Sequence, residues 1–530
     1  MGLNTEQLQA VNSNSDRILC LAGAGSGKTF SLVERITRMV NDGVFPGSIL
    51  VLTFTNAAAA EMKSRYETKN VGKVVPEFRT FHAFCYSIMC KDAAIRNALG
   101  YTTPPDIASD AQEKSIQEQA KAQCKITISK EKLSDRENLT RDEQRQVELY
   151  DKAVNRLMLM NGIITFDALN EKVSDLFVKE HPATKPYKLQ YTHILVDETQ
   201  DTNGVQMRFL NSFSNSTFYF CGDVLQNLYS WRGTSNEFMK ALANTPGWEV
   251  IKLFTNYRST NQICEFANKF SATYADPSYR IEMQGTRDGE KVHKRFTEAP
   301  AGFSLINSKS LDDVAATYAK LDGTSAILCR TNKEVAAVAS YLTKHEIEFT
   351  TTHESKLTFY ISCALSETYT LECMASYLSS DKYGEYIRLA AQTKRPDLAW
   401  FLKLYGKTPR IKDDIQAIED LTNISVLPGT TSEKLKEVSK RFNINIPVTP
   451  DKDYFGDAFL KYLQDITSTA KSSELYVGTI HSVKGLEYDN VFVMNVGSYN
   501  FKLNNEDMKN LFYVAITRAK NRLYVYELFD

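Results

Sequence analysis

Apolar residues along this chain fall into two kinds of pattern. Compact runs occupy residues 18–21, 48–54, 78–84, 193–196, 217–223, 250–254, 326–330, 490–494 and 523–526. Runs of this length, bounded by polar or small residues, predict strands buried on both faces. Between them lie amphipathic stretches such as residues 30–40, where apolar positions recur at helical spacing. Strand and helix in alternation predict an α/β class with mostly parallel sheets, since parallel neighbours need a helical crossover. The alternation breaks twice. Across residues 85–164 Glu, Lys, Gln and Arg crowd together and strand signals fade, and residues 373–467 are again mostly helix-forming. Both stretches read as helical insertions with solvated surfaces.

Length and charge refine this picture. A chain of 530 residues exceeds what one core supports and suggests roughly three or four domains. With 63 basic and 64 acidic residues the net charge is −1, so any basic surface that attracts nucleic acid must be local. Nine cysteines, odd in number and without a C-x-x-C pair, argue against a disulfide framework or zinc ribbon and suit a reducing compartment. The N-terminus lacks a basic flank with an apolar core, and no run of about 18 apolar residues occurs. A cytoplasmic protein with no membrane contact is expected.

The most informative stretch is Ala22-Gly23-Ala24-Gly25-Ser26-Gly27-Lys28-Thr29, between the first apolar run and the first amphipathic segment. Small residues let backbone N–H groups wrap a polyphosphate, Lys28 reaches the outer phosphates, and Thr29 offers its hydroxyl to Mg²⁺. Ala22 stands where the usual pattern begins with glycine. Asp197 and Glu198 follow an apolar run directly, which predicts Asp197 as metal ligand and Glu198 as the base that orients the attacking water. Gln226, beyond the next run, is placed to sense a γ-phosphate.

Other stations carry two readings each. The Gln7 amide can pair with the N6 and N7 edge of adenine, or be a surface residue near a helix start. Tyr257 can stack on adenine beside Arg258, which reaches a phosphate, or both form an ordinary turn. Arg518 lies mid-helix among small residues, which suits a guanidinium aimed at a γ-phosphate as well as a surface ion pair. Thr55 and Asn56 can hold a nucleic-acid phosphate or simply cap a helix. Phe81 and His82 can touch a base or fill the core. Tyr229 and Trp231, beside Arg232, can stack on bases, each aromatic face contributing roughly 1–3 kcal/mol.

Taken in order, these stations resemble those of superfamily 1A DNA helicases of the UvrD, Rep and PcrA type. The resemblance implies two RecA-like P-loop NTPase domains, each with a mostly helical insertion. The first is residues 1–84 and 165–255, interrupted by 85–164; the second is 256–372 and 468–530, interrupted by a reduced 373–467. It implies ATP and Mg²⁺ as cofactors, Arg258 and Arg518 as arginine fingers, and Glu487 near the ribose. For single-stranded DNA and its junctions with duplex it implies contacts from Thr55, Asn56, Phe81, His82, Tyr229, Trp231 and Arg232, and from Thr479 and His481, with movement 3′ to 5′. Phe30 and Ala57 depart from the arginine and lysine common at those positions in relatives. The small second insertion and Gly497-Ser498-Tyr499-Asn500 are similar to the helicase-like component of Gabija anti-phage systems, which implies a nuclease partner and antiviral defence. A DNA-gated ATPase that regulates such a nuclease without processive unwinding is the alternative.

Overall fold

The structure, a computed structural model, describes residues 2–108, 110–129, 133, 139–228, 236–298, 306–351, 417, 420, 421, 423–442, 450, 452–468 and 474–528. The apolar runs form strands. β1 (Arg17–Ala22), β2 (Ile49–Thr53) and β3 (Glu77–Thr80) come first, then two short strands, β4 (Asp106–Ile107) and β5 (Ile163–Ile164). β6 (His193–Val196), β7 (Thr217–Gly222) and β8 (Glu249–Leu253) complete a six-stranded sheet in the order β3-β2-β6-β7-β1-β8, every neighbouring pair parallel. On one face Ile18, Cys20, Val51, Leu195, Tyr219 and Ile251 meet Leu32, Val33, Ile36 and Met39 of helix Lys28–Asn41. The two-residue period of the strands and the three-to-four-residue period of the helix converge on one core.

A short parallel pair, β9 (Thr255–Asn256) and β10 (Gln284–Gly285), precedes the second sheet. That sheet takes β11 (His293–Thr297), β12 (Ser325–Cys329), β13 (Thr350–Thr351), β14 (Leu475–Thr479), β15 (Tyr488–Val496) and β16 (Ala519–Leu528). Its order is β11-β16-β15-β12-β14-β13, again parallel throughout. Ile327, Val477, Phe492 and Tyr524 pack on Val335, Val338 and Leu342 of helix Asn332–Lys344.

Both sheets lie in one compact unit, Met1–Ile88 with Asn170–Thr351 and Ser472–Asp530, and Met89–Leu169 with Thr352–Lys471 make the other; the expected insertion at 373–467 lies mostly outside the described residues. The first insertion is helical, with Ile116 and Ala120 of helix Asp110–Cys124 against Val147, Tyr150 and Leu157 of helix Arg141–Met160. Within it β5 pairs with β4, and the unit boundaries fall within helices Phe81–Lys91 and Phe166–Val178. A continuous helix keeps its periodicity while its packing partner changes, so periodicity leaves that boundary unmarked. Among the described residues no helix is long and apolar enough to cross a membrane.

Candidate nucleotide site and nucleic-acid face

The loop at residues 23–27 connects β1 to helix Lys28–Asn41. Gly25 and Gly27 take φ values of 68° and 77°, left-handed conformations that glycine adopts without a Cβ penalty. Ser26 closes the turn, its N–H and its hydroxyl donating to the Gly23 carbonyl at 3.3 and 2.8 Å. The helix therefore begins with N–H groups that have no intrahelical acceptor and with the positive end of its dipole toward the loop.

Because β6, β7 and β1 are neighbours, the residues leaving their carboxyl ends converge. Thr29 Oγ1 donates to Asp197 Oδ2 at 3.3 Å, and the Glu198 N–H donates to Asp197 Oδ1 at 3.0 Å. Glu198 takes φ 51°, a conformation uncommon for a side chain of this kind, and its carboxylate accepts from the Gln200 amide. Burial alone would lower the Lys28 ammonium, but Glu198, Asp223 and Asp197 hold it above the ordinary lysine range. Burial, reinforced by Glu198, raises Asp197; burial also works to raise Glu198, but Lys28, Lys484, the Gln200 amide and Arg518 overcome it and hold Glu198 low. The two adjacent acids are thus pushed apart, Asp197 upward and Glu198 downward.

The second sheet reaches the same place. Arg518 lies beyond the end of helix Glu506–Ile516, just before β16, rather than mid-helix as its small neighbours suggest, and residues 480–487 connect β14 to β15. Arg518 is 1% exposed, and its guanidinium donates to the Val514 carbonyl at 3.0 Å, the Leu486 carbonyl at 3.3 Å and Gln226 Oε1 at 3.2 Å. Burial, then Arg258, pulls it down to about 9, still a cation at neutral pH. Lys484 Nζ pairs with Asp201 Oδ2 at 2.5 Å and donates to the Gln226 carbonyl at 3.0 Å. Burial pushes Asp201 up to about 6, against the pull of Lys484. Gln226 Nε2 donates in turn to Asp223 Oδ2 at 2.7 Å.

Arg258 Nε pairs with Glu487 Oε2 at 2.7 Å and Nη1 donates to the Thr517 carbonyl at 3.1 Å, while Glu487 also meets Lys520 at 3.3 Å. The Tyr257 N–H donates to the Gly25 carbonyl at 2.9 Å. Gln7 is buried against the loop, with Nε2 donating to the Ser26 carbonyl at 3.0 Å and Oε1 accepting the Asn4 N–H at 3.1 Å. One amide N–H and one lone pair remain for an adenine edge.

The residues expected on nucleic acid leave β2, β3 and β14. Thr55 and Asn56 are exposed, with Thr55 Oγ1 accepting the Ala58 N–H at 3.1 Å as a helix cap and Asn56 Oδ1 accepting from Thr80 Oγ1 at 3.3 Å. Phe81 is buried edge-on to Phe209 at 6.5 Å, so its ring fills the core; His82 is partly buried. Thr479 caps the turn that carries His481, accepting the Ser482 N–H at 3.4 Å. Tyr229, Trp231 and Arg232 lie outside the described residues. Lys484, Asp201, Asp223 and Asn256 join the site without having been assigned a role from sequence. Asp201 and Asp223 do carry a signal, each following a strand end that already bears a candidate; Lys484 carries none, since its partner Asp201 is 283 positions away.

A phosphate loop at the end of a central parallel strand, an acid pair on a nearby strand end and a guanidinium brought by a second parallel sheet define a two-domain, RecA-like P-loop nucleoside triphosphatase. The model of the UvrD/REP helicase N-terminal domain matches residues 3–246, and that of the UvrD-like helicase C-terminal domain matches residues 251–360 and 382–527. The chain belongs to the UvrD/REP helicase family. It is 26% identical to the ATP-dependent DNA helicase PcrA of Staphylococcus aureus, over 99% of this chain and 83% of that protein. To the ATP-dependent DNA helicase PcrA of Staphylococcus epidermidis it is 25% identical with the same coverage.

Proposed function

We propose that this chain is an ATP-driven helicase that translocates 3′ to 5′ on single-stranded DNA. The observation that carries the reading is the grip on Gln226, whose side chain meets Arg518 at 3.2 Å and whose carbonyl meets Lys484 at 3.0 Å, while its amide bonds Asp223. A residue held from the second sheet and tied to the charges around Lys28 responds to nucleotide state and to domain position together. The names of the matched relatives support ATP as fuel and DNA as track.

Thr29 and Asp197 offer one hydroxyl and one carboxylate 3.3 Å apart, a donor set that suits Mg²⁺ held mainly by nucleotide phosphates and water. Among the described residues no group of three His, Cys, Asp or Glu forms an all-protein cage. When bound, the ion neutralises charge on the β- and γ-phosphates. The loop from Gly23 to Gly27 cradles the phosphates with Lys28 and the N–H groups of Ala24, Gly25 and Gly27, while the Gly23 and Ser26 N–H groups hold the loop's own shape by donating to the Leu253 and Gly23 carbonyls. Gln7 and Tyr257 hold adenine, and Glu487 lies near the ribose. Glu198, kept ionised by its cationic neighbours, takes a proton from the attacking water; the water oxygen bonds the γ-phosphorus as the bond to the bridging oxygen breaks and ADP leaves. Arg258 and Arg518 stabilise the charge on the transferred phosphoryl group. DNA runs over Thr55, Asn56, His82, Thr479 and His481, with Tyr229, Trp231 and Arg232 assigned as stacking groups from sequence.

Hydrolysis measured with and without single-stranded DNA, together with displacement of duplexes bearing a 3′ or a 5′ tail, tests this. DNA should raise hydrolysis, Lys28→Ala should lower it roughly 100-fold, and only the 3′-tailed duplex should unwind. Unwinding from the 5′ tail alone overturns the polarity, and hydrolysis indifferent to DNA overturns the motor. Stimulated hydrolysis without displacement makes the chain a DNA-gated switch for a partner nuclease.

A further inference from the structure

Beyond β8 the chain passes toward the second sheet through residues 254–260, and Asn256 sits at the centre of that passage, 1% exposed. Its Nδ2 donates to the Ala24 carbonyl of the phosphate loop at 2.7 Å. Its Oδ1 accepts the Arg258 N–H at 2.8 Å and the Ser259 N–H at 2.7 Å. Upstream, the Thr255 N–H donates to Glu6 Oε1 at 2.7 Å; downstream, Ser259 Oγ donates to the Ala519 carbonyl at 2.6 Å and the Thr260 N–H to the Lys520 carbonyl at 3.2 Å. The turn bearing Arg258 is therefore bonded to the phosphate loop on one side and to β16 on the other. Nothing intervenes between loop and turn, since a Cβ on Gly25 would lie 2.6 Å from Arg258 Cβ and 2.8 Å from Asn256 Oδ1.

The two arms of the Asn256 amide do different things. The acceptor arm caps the turn, which any local fold requires. The donor arm adds nothing to the turn; it fixes the turn relative to the loop that would hold phosphate, without competition from water. We propose that Asn256 is a positioning residue for hydrolysis, tying the turn that bears Arg258 to the phosphate loop so that the guanidinium, held at its tip by Glu487 and the Thr517 carbonyl, is registered on the γ-phosphate. This rests on the reading above that Arg258 meets the γ-phosphate.

Asn256→Asp keeps the acceptor arm and nearly the same volume but replaces the donor with an oxygen facing the Ala24 carbonyl; Asn256→Ser keeps a short cap that does not reach the loop. The test measures kcat and KM for DNA-stimulated ATP hydrolysis, with thermal melting, for each variant alone and in an Arg258→Ala background. Each variant should lower kcat about tenfold with less than about threefold change in KM, and the drop should vanish in the Arg258→Ala background. A drop of equal size in both backgrounds, wild-type kcat in the Asn256 variants, or failure of both variants to fold overturns the proposal. Wild-type kcat in Arg258→Ala instead removes the reading beneath it.

Discussion

His481 was placed on the nucleic-acid face by resemblance, and the structure gives that histidine a definite charge. Burial, with Arg330 and Lys484 nearby, lowers it to about 4, so it is neutral at pH 7, and under the proposed function it would meet a strand by hydrogen bond or stacking rather than as a cation. Removing it at pH 7.5 should leave the salt dependence of DNA binding unchanged, where loss of a phosphate-bound cation reduces the slope by about 1. Its effect on stability has a fixed sign. Between the ordinary value of 6.5 and about 4 the unfolded chain takes up a proton that the folded chain refuses. Stability therefore falls as pH drops through that window, by roughly 3 kcal/mol at most. His481→Gln should lose less melting temperature than the wild type between pH 7 and pH 4.5. Short motifs marked Lys28, Asp197 and Glu198 as candidates, and the structure brings Asp197 against Thr29 and surrounds Lys28 with the acidic charges of Glu198 and Asp197. The two readings left open for Phe81 were separable only by packing, because a phenylalanine looks the same in sequence whether its neighbour is Phe209 or a base.

At the scale of elements, the strand, loop and helix around Lys28 form where the apolar pattern put them, since each is fixed by residues close in sequence. The loop also depends on contacts from further away. Gly27 combines φ 77° with a position where a Cβ would lie 2.9 Å from Gln7 Nε2. Gly27→Ala should cost about 1–2 kcal/mol of stability through backbone strain. It should weaken ATP binding further than that strain accounts for, because the Gln7 amide must move; nucleotide titration and denaturant unfolding of the same variant compare the two. Helix edges were less legible. Helices Phe81–Lys91 and Phe166–Val178 run unbroken across the boundary between units, and no glycine, proline or cap marks the change of partner.

At the scale of the molecule, the contacts between the two sheets rest on a few buried polar groups. Lys484 neutralises Asp201, whose side chain is 1% exposed, so Lys484→Met leaves a carboxylate buried without its cation. That should cost about 3–5 kcal/mol, measured as a lower denaturant midpoint, and Asp201→Asn in the same chain should restore most of it. DNA-stimulated hydrolysis should stay low in the double variant, because the grip on the Gln226 carbonyl is still missing. The sequence by itself determined the α/β class, the strand, loop and helix around Lys28, and the place of the acid pair at a strand end, because periodicity and short motifs are set by residues a few positions apart. Tertiary structure alone decided which strand ends lie side by side, that Gln226 is held by Arg518 292 positions away, and that Asn256 joins Arg258 to a loop 232 positions upstream. Such pairings follow from sheet order and domain packing, to which local pattern is blind.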